Sequence, residues 1–162
     1  MEKPTKQNSL YLTIKQENFD KILDGTKKTE KRDISPGAYK KYLECDEEGC
    51  PYCNADFWTD EDFDIYPGED LLMACKDGKF PFFFREDIMF LNLAVGYNKV
   101  RDPAIVEVTD ITPMMGKNKK GETLRFDFDK NGKVINNPEG KYCMWQAVFH
   151  LGKVVEKNIV SK

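Results

Sequence analysis

The sequence predicts an α+β chain, a small and mostly antiparallel β-barrel with one early short helix and polar insertions. Three observations lead there. Near the N-terminus a stretch with the period of a strand passes directly into one with the period of a helix. Further apolar runs of strand length, rich in β-branched and aromatic residues, recur along the rest of the chain. No internal repeat or low-complexity linker interrupts them, so residues 1–162 read as one domain.

The first strand is expected from Leu10 to Lys15, with Leu10, Leu12 and Ile14 on one face and Tyr11, Thr13 and Lys15 on the other. From Gln16 the period changes. Phe19, Ile22 and Leu23 stand at i, i+3 and i+4, an apolar stripe on a short helix. Gly25 stops it, because glycine accepts the left-handed conformation just past a helix end. Lys28 to Asp33 then reads as a second strand with charged residues on both faces.

Tyr39 to Gly68 is irregular and rich in turn residues and carboxylates. From Glu44 through Asp70 there is no lysine or arginine, so 44–70 is expected to be a solvated, acidic insertion. Asp70 to Cys75 reads as a core strand. Phe82–Phe84, Ile88–Leu91, Ala104–Val108 and Met144–Leu151 supply further strands, and Phe82 to Phe84 and Phe90 are assigned to packing. A polar insertion spans 116–140. Within it, Phe126 to Phe128 and Val134-Ile135 flank Asn131-Gly132, a strong hairpin signal.

Bulk properties narrow the function classes. The chain has 162 residues, a formal net charge of -3, 40% hydrophobic and 33% charged residues. An acidic balance argues against a basic protein that coats nucleic acid without specificity, though a local basic groove remains open. The N-terminal residues MEKPTKQNS carry no apolar run of signal-peptide type, and no stretch reaches the length of a membrane span. Five cysteines cannot all pair internally, and reduced thiols in a cytoplasmic protein are the simpler expectation.

Against that acidic background, DGTKKTEKRD at residues 24–33 concentrates cations directly after the helix stop. Gly25, Lys27, Glu30 and Arg32 give the pattern G-x-K-x-x-E-x-R. In a strand, Glu30 and Arg32 share a face, and Lys27 can reach over that face from the turn. Such a trio offers donors and an acceptor to a polar ligand. The alternative is a solvent-facing strand edge with an ordinary ion pair of little energetic value.

The succession of strand, helix and Gly25-Thr26-Lys27-Lys28-Thr29-Glu30-Lys31-Arg32 resembles the start of an ASCH domain, a family with a PUA-like β-barrel. Later pieces resemble it more loosely: Ile88 to Phe90 with Gly96-Tyr97, Ala104 to Ile111, and Phe149 to Val154 with its Leu151-Gly152 pair. The resemblance implies a cleft beside the first helix that takes RNA or modified nucleosides. Some members are small amidohydrolases of acylated cytidine or ribonucleases. In the amidohydrolase branch the motif lysine works with a threonine three residues on. That position is Glu30 here, with Thr29 one place earlier.

Cys45, Cys50 and Cys53 stand in ECDEEGCPYC at a C-x4-C-x2-C spacing. Two thiolates on a tight turn can grip zinc, with Cys75, Cys143 or His150 as a fourth ligand, so a structural zinc is one reading and free thiols the other. No other cofactor is required. Asp127-Phe128-Asp129-Lys130-Asn131-Gly132 copies the opening of a calcium loop, but Pro138 stands where its closing acid belongs. Tyr97, Tyr142 and Trp145 are able to stack a base, although at strand spacing such rings are more often core. His150 is expected to be structural.

The leading expectation is therefore a domain that binds RNA or a nucleotide-like molecule through Lys27, Glu30, Arg32 and Tyr97. One alternative is a small hydrolase, an N-acylated nucleoside amidohydrolase or ribonuclease, with Lys27 and Glu30 as catalytic residues. Another is an interaction module whose acidic arm engages a basic protein.

Overall fold

Strand β1 (Ser9–Ile14) forms where alternation predicts it, with Leu10, Leu12 and Ile14 buried. Helix α1 (Gln16–Leu23) follows and buries Phe19 and Ile22, while Leu23 stays 43% exposed. The computed structural model describes residues 3–53, 57–96 and 104–155. The remaining elements are β2 (Thr29–Asp33), α2 (Asp60–Ile65), β3 (Phe90–Val95), β4 (Ala104–Met115), β5 (Arg125–Phe128), β6 (Val134–Asn136), β7 (Tyr142–Cys143) and β8 (Trp145–Val154).

Five strands form one sheet in the order β1-β3-β4-β8-β2, and three form another in the order β6-β5-β7. β1 lies parallel to β3 in the register Ser9↔Phe90 to Ile14↔Val95, and β3 is antiparallel to β4 with Leu91 opposite Val106. β8 meets β2 antiparallel: the Leu151 N–H donates to Lys28 O (2.9 Å), and the Ile34 N–H donates to Trp145 O (2.7 Å). The chain is thus α+β with mostly antiparallel pairing, as the sequence predicts. No helix among the described residues is long and apolar enough to cross a membrane.

The chain gathers into two compact units. The first comprises Met1–Glu30, Arg85–Thr112 and Val148–Lys162; the second comprises Lys31–Phe84 and Pro113–Ala147. In the first, Leu91, Leu93, Ile105 and Phe149 are fully buried. Side chains of this size each contribute about 1.5–3 kcal/mol when taken from water.

The second unit has an aromatic core. Tyr66, Met73, Ala74 and Tyr142 form a buried cluster with Trp58, Leu71, Phe126 and Phe128 against it. Tyr66 and Tyr142 meet edge to face at 5.5 Å, and Phe126 stacks on Tyr142 at 5.7 Å, arrangements that rings favour through their quadrupoles. Polar edges are also matched. The Tyr66 hydroxyl donates to Lys141 O (3.0 Å), the Tyr142 hydroxyl to Asp70 (3.0 Å) and the Trp145 indole to Ala74 O (2.8 Å).

The predicted hairpin is present, with Phe128 opposite Val134 and Gly132 at φ 78 in the turn. Its carboxylates are engaged by the chain itself. Asp129 accepts from the Asn131 and Lys133 N–H groups (both 2.8 Å), and Asp127 accepts from the Lys141 N–H (3.1 Å). Gly140 is obligatory beside it, since a Cβ there would overlap the Phe126 backbone.

Two strand expectations fail. Asp70–Cys75 is not a strand; Gly68–Met73 winds as a 3₁₀ helix, and only Ala74 bridges to Tyr142. The run Leu72 to Cys75 is buried at every position, so it lacks the alternation that separates a strand from a packed turn. Phe82 and Phe84 make isolated bridges to Cys53 and Leu43, and Phe83 is 55% exposed rather than packed. The acidic segment carries a helix. α2 begins there behind a capping box, in which the Thr59 hydroxyl accepts the Asp62 N–H and the Asp62 carboxylate accepts the Thr59 N–H.

Candidate functional site

The turn after α1 places Lys27. The Asp24 N–H closes on Asp20 O (3.0 Å), and Gly25 takes the left-handed φ of 85. Asp24 then accepts from both the Thr26 N–H (2.8 Å) and the Thr26 hydroxyl (2.6 Å). These bonds, the hydroxyl first, hold its carboxyl below the usual aspartate value. The Lys27 N–H donates to Lys21 O (3.0 Å), so its backbone is tied to the last turn of the helix. The chain leaves the helix by one route, and the lysine stem starts from a fixed point.

From there Lys27 Nζ lies 3.5 Å from Glu30 Oε1. Both residues belong to the first unit. Glu30 is 6% exposed, one of two buried charged residues among those described, whereas the Lys27 side chain keeps 27% of its surface. Glu30 stands inside β2, where alternation puts Thr29 on the other face. Arg32 follows two residues on along the same strand, half-buried and on the Glu30 side by that alternation. Arg32 falls in the second unit. Tyr97 lies outside the described residues.

The first unit holds two more polar groups of note. The Asn92 Oδ1 on β3 is buried with no hydrogen-bond partner among the described residues. His150 Nε2 lies 2.8 Å from the Thr112 hydroxyl, which suits the structural role expected of it. Tyr142 and Trp145, the other stacking candidates, are 4% and 3% exposed and belong to the core of the second unit.

The cysteine arm forms a hairpin. Cys45 bridges to Pro51, and Asp46 accepts from the Glu48 N–H (2.9 Å) and Cys50 N–H (3.0 Å) at its tip. The Cys45 thiol donates to Leu43 O (3.4 Å), and burial raises its pKa, which favours the thiol. Cys50 and Cys53 line a cavity of about 440 Å³ in the second unit. No group of three or more His, Cys, Asp or Glu side chains gathers as a metal site among the described residues.

Sequence reasoning missed two constellations in the second unit. Cys75 and Cys143 are both buried, and the Cys75 thiol donates to Gly140 O (3.4 Å) while the Arg125 Nε–H donates to the same oxygen (2.7 Å). A hydrogen bond from Cys143, with help from the Arg125 charge, lowers the Cys75 pKa to about 7, and the same bond raises that of Cys143. Sixty-eight positions (143 − 75) separate the two thiols, and no local spacing signals them. The other is Asp62, 7% exposed, which pairs with Lys76 while Lys76 also donates to Phe57 O. The Lys76 bond, then the Thr59 amide, holds the Asp62 carboxyl below its ordinary value. The spacing Thr59-x-x-Asp62 was the available signal.

Compared with known proteins, the chain matches no family model, no curated protein and no solved structure.

Proposed function

We propose that the chain is an ASCH-like domain with a PUA-like barrel that binds RNA or a nucleotide- or nucleoside-like ligand through Lys27, Glu30 and Arg32. The observation that carries this reading is Glu30 of β2, a carboxylate 6% exposed, with the Lys27 ammonium of the preceding turn 3.5 Å away and still in contact with solvent. A buried acid held beside a reachable cation presents an acceptor and a donor together, which is what a base edge or a phosphate-bearing ligand requires. Lys27 and Arg32 would contact phosphate or carbonyl oxygens. Glu30 would orient them or accept from an exocyclic amine, and Tyr97 would stack on the base.

The test is anisotropy with short single-stranded RNAs and titration with free nucleosides, using Lys27→Ala and Arg32→Ala. Each variant should bind at least about tenfold more weakly, the scale of a lost charge-assisted hydrogen bond, with an unchanged circular dichroism spectrum. Unchanged binding by both variants refutes the assignment. The closeness of Lys27 to Glu30 also supports a second reading, an acid–base pair of a small hydrolase. Turnover of acylated cytidine or RNA that disappears in Lys27→Ala and in Glu30→Gln would select it. Binding without turnover selects the first.

A further inference from the structure

The 440 Å³ cavity in the second unit falls in the size range of small-molecule sites, about 300–1,000 Å³. Its lining includes Tyr39, Trp58, Phe63 and Phe82, and Glu48 is the only charged residue among its described lining. Trp58 and Phe82 are 6.2 Å apart by ring centroids, so two of the rings already pack as a wall. The Tyr39 hydroxyl donates to Gly49 O (2.8 Å), which fixes that ring against the hairpin bearing Glu48.

Aromatic faces carry negative charge density and attract cations, most strongly organic cations that shed water easily. The chain around the cavity strengthens that preference, since residues 44–70 contain no lysine or arginine. One ammonium of the protein itself already responds. Lys40 Nζ stands 5.9 Å from the Tyr39 ring centroid, and lies so close to Gly49 that a Cβ there would come within 2.9 Å of it. An anionic ligand would meet Glu48 and the ring faces, both repulsive, with the exposed Lys40 alone to offset them. A neutral apolar ligand would fill the space and leave Glu48 without use.

We infer that this cavity is a binding site for a small organic cation of the quaternary-ammonium class, caged by Tyr39, Trp58, Phe63 and Phe82 with Glu48 as counter-charge. The site is independent of Lys27, Glu30 and Arg32, and either reading stands if the other falls.

The probe pair is choline and its neutral carbon isostere 3,3-dimethyl-1-butanol, which share a shape and differ in charge. Calorimetric titration of the full chain should show choline binding and the isostere binding at least about tenfold more weakly, within the span of desolvated cation–π contacts. Trp58→Ala should weaken choline by roughly tenfold. Because truncating Trp58 also disturbs packing, two exposed positions supply the decisive signs: Glu48→Gln should weaken choline, and Lys40→Ala should tighten it by removing a competing cation. Equal binding of choline and the isostere, no choline binding, or a Lys40→Ala variant no tighter than the parent would each overturn the inference.

Discussion

Glu30 and Asp62 are the two buried carboxylates among the described residues, and each pairs with a lysine. They differ in what surrounds the pair. Asp62 sits in the first turn of α2, where its carboxylate closes a capping box, and Lys76 binds it together with the Phe57 carbonyl. Every part of that arrangement ends in the architecture of the helix start. Glu30 sits inside strand β2 rather than at a helix start. Its ammonium is 3.5 Å away, longer than the 2.7–2.9 Å of a tight charge-assisted bond, and faces solvent in part. Burial of an acid points to a function only where no helix cap accounts for it, and a cap accounts for Asp62.

The largest effect should come from Lys76→Met. It strips Asp62 of its partner and leaves the Phe57 carbonyl without its donor, so the melting temperature should fall further than in Thr59→Ala or Lys27→Met. Asp62 has a lowered folded pKa, so its stabilisation is present above the ordinary aspartate value near 3.8 and is lost as the pH falls through the lowered one. Lys76→Met should therefore also move the acid-unfolding midpoint to higher pH. A melting temperature unchanged in this variant would erase the distinction between the two pairs.

Next in size is alkaline unfolding of the second unit. Burial pushes the Tyr66 and Tyr142 hydroxyls up to about 12, with the Asp70 bond adding to it at Tyr142. The stabilisation is complete below the ordinary value of 10 and is lost between 10 and 12. Absorbance at ultraviolet wavelengths should show two late-titrating phenols, and Tyr142→Phe should remove one of them.

Thr59→Ala removes the cap and should cost about 1 kcal/mol by denaturant unfolding. Lys27→Met takes a partner from a buried carboxylate as well, and should lower stability less than Lys76→Met because its ammonium stands 3.5 Å away and keeps 27% of its surface. The same variant should lose ligand affinity while Lys76→Met, assayed below its melting transition, retains it. The reverse pattern would assign the functional role to Asp62.

Much of this was legible in the residues. The alternation of Leu10, Leu12 and Ile14, the stripe of Phe19 and Ile22, the stop at Gly25 and the turn at Asn131-Gly132 are local codes, and each is realised. Lys27 and Glu30 could be linked because a turn and a strand of known period join them over three residues. Leu72 to Cys75 could not be read, because continuous burial erases the periodicity that tells strand from helix. The Cys75–Cys143 contact and the cavity between Tyr39 and Phe82 were also out of reach, as tertiary packing of distant segments leaves no spacing to read.

The parallel pairing of β1 with β3 sets a timetable for synthesis. Ser9 meets Phe90, a separation of 81 residues (90 − 9), so β1 and α1 leave the ribosome well before their partner strand exists. At about 5–20 residues per second the wait is roughly 4–16 s, long compared with the microseconds in which a helix or hairpin forms. During that interval Leu10, Leu12, Ile14, Phe19 and Ile22 have no β3 to cover them. The β1–α1 segment is therefore the part of a nascent chain that chaperones should hold, and a stalled chain ending before Phe90 should be its most protease-sensitive form.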